Sequence, residues 1–166
     1  KALLWFEAGN RYYYAVQFTQ DQSEIPVLVQ SSIRAFSKGL ELEPNNTDAK
    51  IMLASAIVES GSDPMKGISL LREIEKVDSN NVKLQLSFAF LSLRSGQLDK
   101  AITRFQKVLV LDPTYLEAYI NIADAYSQMG NKEGTIEMLE KFASKTEDAT
   151  AKQEVEDYIK QLKETN

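Results

Sequence analysis

Neither cysteine nor histidine occurs in this sequence of 166 residues. Their absence removes disulfides, thiolate nucleophiles, the most common general base and the usual zinc ligands together. No catalytic residue, metal site or cofactor is expected, and the chain reads as non-enzymatic. The missing cysteine is compatible with either side of a membrane, so the compartment stays open. Basic charge is also short: 19 Lys and Arg stand against 24 Asp and Glu, a formal charge of -5. With no dense basic block to overrule that average, a phosphate backbone would be repelled, and nucleic acid is not an expected partner. No run approaches the roughly 18 apolar residues that span a bilayer, and no basic-then-apolar leader opens the chain. The segment is expected to be soluble and to make no direct membrane contact. It starts at Lys1 directly in a helical pattern, which leaves room for an upstream segment such as an anchor.

What is present repeats. With 43% hydrophobic and 26% charged residues, one globular unit is the default. The clearest internal unit runs over residues 82–115: an apolar stretch, Gly96, then Ala101, Ile102, Phe105, Val108 and Leu109 at intervals of three and four, then Asp112-Pro113. That spacing makes one apolar stripe on a helix. Asp99 can cap it, Gly96 can close the helix before it, and Asp112-Pro113 stops it. The unit is a helical hairpin. Residues 116–147 follow the same plan, with Tyr119, Ile122, Ala123 and Tyr126 before Gly130 and Ile136, Leu139 and Phe142 after it. Residues 47–81 place Leu53, Ala54 and Ile57 before Gly61, and Asp63-Pro64 then opens a helix carrying Gly67, Leu71 and Ile74.

The first hairpin, residues 1–46, is the irregular one. Trp5, Ala8, Gly9 and Tyr12 form one face, and Phe36, Gly39 and Leu40 precede Glu43-Pro44. It holds roughly eleven residues more than a period of about 34 allows. Both its helices are expected to be extended, with Ser23 capping the second and Pro26 in its first turn.

Trp5-x-x-Ala8-Gly9-x-x-Tyr12, the series Gly96, Ala101, Phe105, Pro113, and the endings Leu42-Glu43-Pro44 and Leu111-Asp112-Pro113 resemble tetratricopeptide repeats (TPR), as found in bacterial TPR-domain proteins. The resemblance covers residues 1–147. It implies an all-α fold, a right-handed superhelix of four antiparallel hairpins in a single domain over residues 1–166. Lys50, Ser79 and Thr135 depart from the family pattern at single positions. Residues 148–164 change character: Asp148 can cap a helix on which Val155, Tyr158, Ile159 and Leu162 form one stripe, as a helix covering the open end of a solenoid would. One segment, residues 84–93, partly alternates apolar and polar residues like a strand. An isolated strand would leave its backbone groups unpaired, so helix is expected there.

The resemblance further implies a concave surface lined by the first helix of each hairpin. By helical spacing its open face carries Phe6, Asn10 and Tyr13, then Ile51, Ser55 and Val58, then Leu86, Phe90, Leu93 and Arg94, then Ile120, Asn121, Asp124 and Gln128. The middle of that set is apolar, which suits an amphipathic helix or an apolar peptide. The enlarged first hairpin or a second copy could fill the groove instead. A TPR subclass grips peptide carboxylates with Lys and Asn. Here Asn10 and Lys83 match that pattern, while Phe6, Met52 and Ser87 do not. Of Tyr12-Tyr13-Tyr14, Tyr12 is expected in the core and Tyr13 at the groove, since consecutive helical residues point apart. Acidic pairs such as Asp99 with Glu133, or Glu154 with Glu156 and Asp157, read as caps and solvated faces. The chain is thus expected to be a protein-binding scaffold for a partner peptide or helix. The alternatives are a self-associating, homo-oligomeric module and the accessory TPR part of a larger membrane-anchored assembly or maturation factor.

Overall fold

The structure, a computed structural model, describes residues 1–164. Among the described residues there are nine α-helices and no strand: α1 (Ala2–Ala15), α2 (Ile25–Leu42), α3 (Thr47–Glu59), α4 (Pro64–Val77), α5 (Val82–Arg94), α6 (Leu98–Leu111), α7 (Glu117–Gln128), α8 (Lys132–Lys145) and α9 (Ala149–Glu164). The strand-like segment 84–93 lies within α5.

Local chemistry explains most of the boundaries. The side chains of Asn46, Asp63, Asn81 and Asn131 accept hydrogen bonds from the backbone N–H of Ala49, Lys66, Leu84 and Gly134, capping α3, α4, α5 and α8. Asp148 Oδ1 does the same for α9, accepting from Thr150 N and Ala151 N. Each such cap contributes about 1 kcal/mol. At the other end, Gly96 takes φ 70. Its N–H then reaches Leu93 O, and Gln97 N–H reaches Ser92 O, which satisfies carbonyls that the end of α5 would otherwise leave open. Asp112 closes α6, its Oδ1 accepting from Thr114 Oγ1 (2.6 Å) and Thr114 N (3.0 Å). Those two bonds, the hydroxyl first, hold its carboxyl below the usual range.

Two expected caps are placed differently. Ser23 does not cap α2, which begins after Glu24 with no side-chain cap. Its N–H and hydroxyl both donate to Asp21 Oδ1 instead, folding the loop on itself. The extra chain of the first hairpin therefore does not extend both helices. It goes into this loop and into α2, which has 18 residues against 14 in α4, α6 and α8. Asp99 sits inside the first turn of α6, after the N-cap Gln97. There its charge favours the positive end of the helix without capping it.

The helices gather into two compact units, one spanning Lys1–Ser79 and one beginning at Asn80. In the first, α1 packs on α2, α2 on α3 and α3 on α4. The α1/α2 contact is close because glycines stand at the crossings: Phe36 lies against Gly9 and Phe6 against Gly39. Ser32, fully buried, donates its hydroxyl to Gly9 O across the interface (3.0 Å). Tyr12, expected in the core, is 42% exposed, and Trp5 is 43% exposed. Among the described residues α1 packs chiefly on α2. The side of α1 that carries Trp5 and Tyr12 is left half open.

In the second unit α5 packs on α6, α6 on α7, α7 on α8 and α8 on α9. Its single core gathers Ala89, Phe105, Val108, Ile122, Leu139 and Ile159 from all five helices. Complete burial of the Phe105 ring contributes about 2 to 3 kcal/mol. Thr135 occupies a small-residue site, 3% exposed. It is tolerated because its hydroxyl donates to Asn131 O (2.9 Å) and lies 3.3 Å from Ala123 O. Gln85 is fully buried and accepts from Arg104 Nη1 at 2.8 Å, while the Arg104 guanidinium lies 4.6 Å from the centre of the Phe88 ring. The polar pair thus ties α5 to α6 with its hydrogen-bonding capacity used rather than stranded.

Candidate functional site

In the first unit, the side chains expected on an open face are largely interior. Phe6 is 7% exposed, Ile51 is fully buried and Ser55 is 5% exposed. Val58 is half-buried, with Cγ2 turned toward Gly67 of α4. Asn10 and Tyr13 are half-buried, and the Tyr13 ring meets Tyr14 edge to face at 5.6 Å. The reason lies in packing. Helix α3 is held by α2 and α4 and touched by α1, which encloses Ile51 and Ser55, and Phe6 of α1 lies against Gly39 of α2. The expectation of an open face is therefore corrected to interior at Phe6, Ile51 and Ser55, and Val58 is half-buried.

The second unit keeps such a face. Phe90 is 41% exposed on α5, and its ring stands edge to face on buried Phe105, with centroids 5.3 Å apart and planes at 83°. Leu86 and Leu93 on α5 and Ile120 on α7 are half-buried against the same core cluster. This is an apolar surface fixed from beneath, since each side chain is seated on the packed core and has little rotamer freedom left to lose. Arg94 is exposed in the last turn of α5, where the helix dipole favours a cation. On α7, Asn121 Nδ2 donates to Glu117 O (2.9 Å) and Gln128 Nε2 donates to Asp124 Oδ2 (2.8 Å).

Beside these residues a cavity of 330 Å³ opens between α7, α8 and α9. Ile120, Ala123, Leu139 and Val155 make its apolar walls, and Asp124, Ser127, Glu154 and Tyr158 supply the polar groups. Sequence spacing places Ile120 and Asp124 on the binding face but not the contribution of α8 and α9. Tyr158 was expected on the buried stripe of α9 and is instead 44% exposed, while Ile159 beside it is 7% exposed. A second depression, more open, lies in the first unit between Arg11, Tyr14, Phe18 and Leu28. Among the described residues no group of acidic side chains is arranged to hold a metal ion. No described helix is long and apolar enough to cross a membrane.

A family model for the TPR repeat matches residues 93–130, from the end of α5 through α6 and α7. Stacked antiparallel helix pairs with Gly96, Ala101, Phe105 and Pro113 at their repeat positions decide the assignment. The chain has the tetratricopeptide-repeat fold. Solved TPR structures are similar over nearly its whole length. YrrB, described as a TPR protein with an unusual peptide-binding site, is 23% identical with a TM-score of 0.62, covering 94% of this chain and 74% of its own. MamA is 18% identical with a TM-score of 0.59, covering 97% and 89%. Among curated proteins, the cytochrome c-type biogenesis protein CcmH of Escherichia coli K12 is 27% identical over 81 residues, 48% of this chain. That match spans only 23% of the length of the CcmH protein.

Proposed function

We propose that this TPR chain is a non-enzymatic scaffold that holds a partner peptide or helix against the apolar face of its second unit. The observation that carries this reading is Phe90: a large aromatic side chain 41% exposed, with its ring edge to face on buried Phe105 beneath it. An exposed apolar ring favours contact with a partner, and a ring supported by a neighbour has less rotamer freedom to lose than a free one. Half-buried Leu86, Leu93 and Ile120 provide further apolar contacts. The likeness to YrrB supports the fold on which such binding is built. Replacing Phe90 with Asp abolishes capture of partners from a lysate of the host cell, while the helical circular dichroism spectrum is kept. Capture that survives the change, with the fold intact, sinks the assignment.

A second reading is favoured by the CcmH match. In it the segment is the accessory TPR part of a larger maturation factor, and the partner is a protein presented for assembly. Deleting these residues from the host gene then lowers haem-staining c-type cytochromes. Unchanged cytochrome levels would overturn this reading and leave the scaffold reading standing.

A further inference from the structure

The cavity between α7, α8 and α9 differs in character from the Phe90 surface. It is walled by Ile120, Leu139 and Val155, and its polar edge carries two carboxylates, Asp124 and Glu154, with no cation among the residues that line it. Helix α7 contains no Lys or Arg at all. Neither carboxylate has a cationic partner among the described residues. The ion pairs nearby, Lys141 with Glu137 and Lys163 with Glu140, use other groups. Asp124 accepts only from the neutral amide of Gln128, which orients the carboxylate without neutralising it. Tyr158, one turn beyond Glu154 on α9, also lines the cavity, and its phenol can donate or accept a hydrogen bond.

We infer that this cavity takes an apolar side chain of the partner segment with a Lys or Arg within one turn of it. The inference rests on the reading of the second unit as the partner-binding face and adds the chemistry of its occupant. The volume, 330 Å³, lies at the small end of the roughly 300 to 1,000 Å³ typical of ligand pockets. It admits one large aliphatic or aromatic side chain with the methylenes of a neighbouring lysine. The apolar walls supply affinity, and the two uncompensated carboxylates supply selection by sign, rejecting an acidic neighbour. This is opposite in sign to a clamp that holds a peptide carboxylate. Two partly exposed charge pairs amount to about threefold to tenfold in affinity, weakening with salt.

The test uses the whole chain, methyl-labelled for NMR, and three blocked pentapeptides in which a central Leu is flanked on both sides by Lys, by Gln or by Glu. The expected result is that methyl shifts of Ile120, Leu139 and Val155 titrate about threefold to tenfold more tightly with the Lys peptide than with the Gln peptide, and least with the Glu peptide. The double variant D124N/E154Q then binds all three alike. Equal titration of the three peptides by the unaltered chain overturns the inference, as does the absence of shifts at those methyls with millimolar Lys peptide. Shifts confined to Leu86 and Leu93 overturn it while leaving the wider binding face intact. Loss of that wider face is read separately, from partner capture that no longer depends on Phe90.

Discussion

Replacing Gly67 with Ala pits two effects of known sign against each other. Gly67 lies in the interior of α4, where alanine is preferred over glycine by about 1 kcal/mol because the backbone loses less freedom on folding. Against that, a methyl group at Gly67 would overlap the carbonyl oxygen of Ala54 and come within 2.6 Å of Val58 Cγ2. The first obstacle is backbone of α3 and cannot rotate away, so α3 and α4 must separate. Overpacking that forces backbone shifts costs typically 1 to 3 kcal/mol, and an obstacle made of backbone belongs near about 3. The packing term wins, and the substitution destabilises the first unit by about 2 kcal/mol. In urea, with a slope of about 1 to 3 kcal/mol per molar, the midpoint followed by circular dichroism falls by roughly 1 M. Gly134→Ala is the matched control, since a methyl there meets only side chains, the Tyr126 ring at 2.9 Å and the Asn131 amide at 3.0 Å. Those must shift as well, but side chains give way at lower cost than backbone, so the midpoint falls less than for Gly67→Ala. A midpoint for Gly67→Ala that holds or rises would mean that helix preference outweighs the contact, and the close α3/α4 crossing would be refuted.

Two further substitutions probe the second unit. Phe105→Ala empties a fully buried site under Phe90 and costs about 3 to 5 kcal/mol; thermal unfolding should show this loss, and a shift near zero would contradict the single core drawn for that unit. Thr114→Val removes the first-named cause of the lowered Asp112 pKa, so the carboxyl titrates closer to its ordinary value by NMR. Because the folded value is depressed, the contribution of Asp112 is present above the ordinary carboxylate range and fades as pH falls through the lowered value. The variant should lose part of that acid sensitivity, the Thr114 N–H bond remaining, and an unchanged Asp112 titration would refute the assignment of the cause.

Much of the architecture is legible in the sequence, because repeat proteins write their structure in local signals. Asp63-Pro64, Asp148 and the positive-φ glycines act within one turn of themselves, and they ended or began helices where spacing placed them. The failures came where a local signal had rivals. Ser23 had Asp21 two residues away and bonded to it instead of to α2. Asp99 lies inside α6 because the N-cap of that helix is Gln97, two residues earlier than a cap at Asp99 requires. Tyr12 carries the residue type of a core position, but core status needs a second surface, and none of the described helices supplies one.

The amino-acid sequence alone determined that the chain is helical, where its turns fall and which residues share a helical face, since periodicity and capping act over three or four residues. It also settled that Cys and His chemistry is absent. Only tertiary structure decided which of those faces stay open. Phe6, Ile51 and Ser55 have the spacing of Leu86 and Phe90, yet the former are buried because α1 to α4 crowd around them through glycine crossings. Phe90 keeps its exposure because Phe105 supports one side of its ring and nothing described covers the other. The cavity lined by Asp124 and Glu154 likewise needed α9 to be laid against α8, which brings together side chains of α7 and α9 that are separated in sequence by the whole of α8 and that no local pattern pairs.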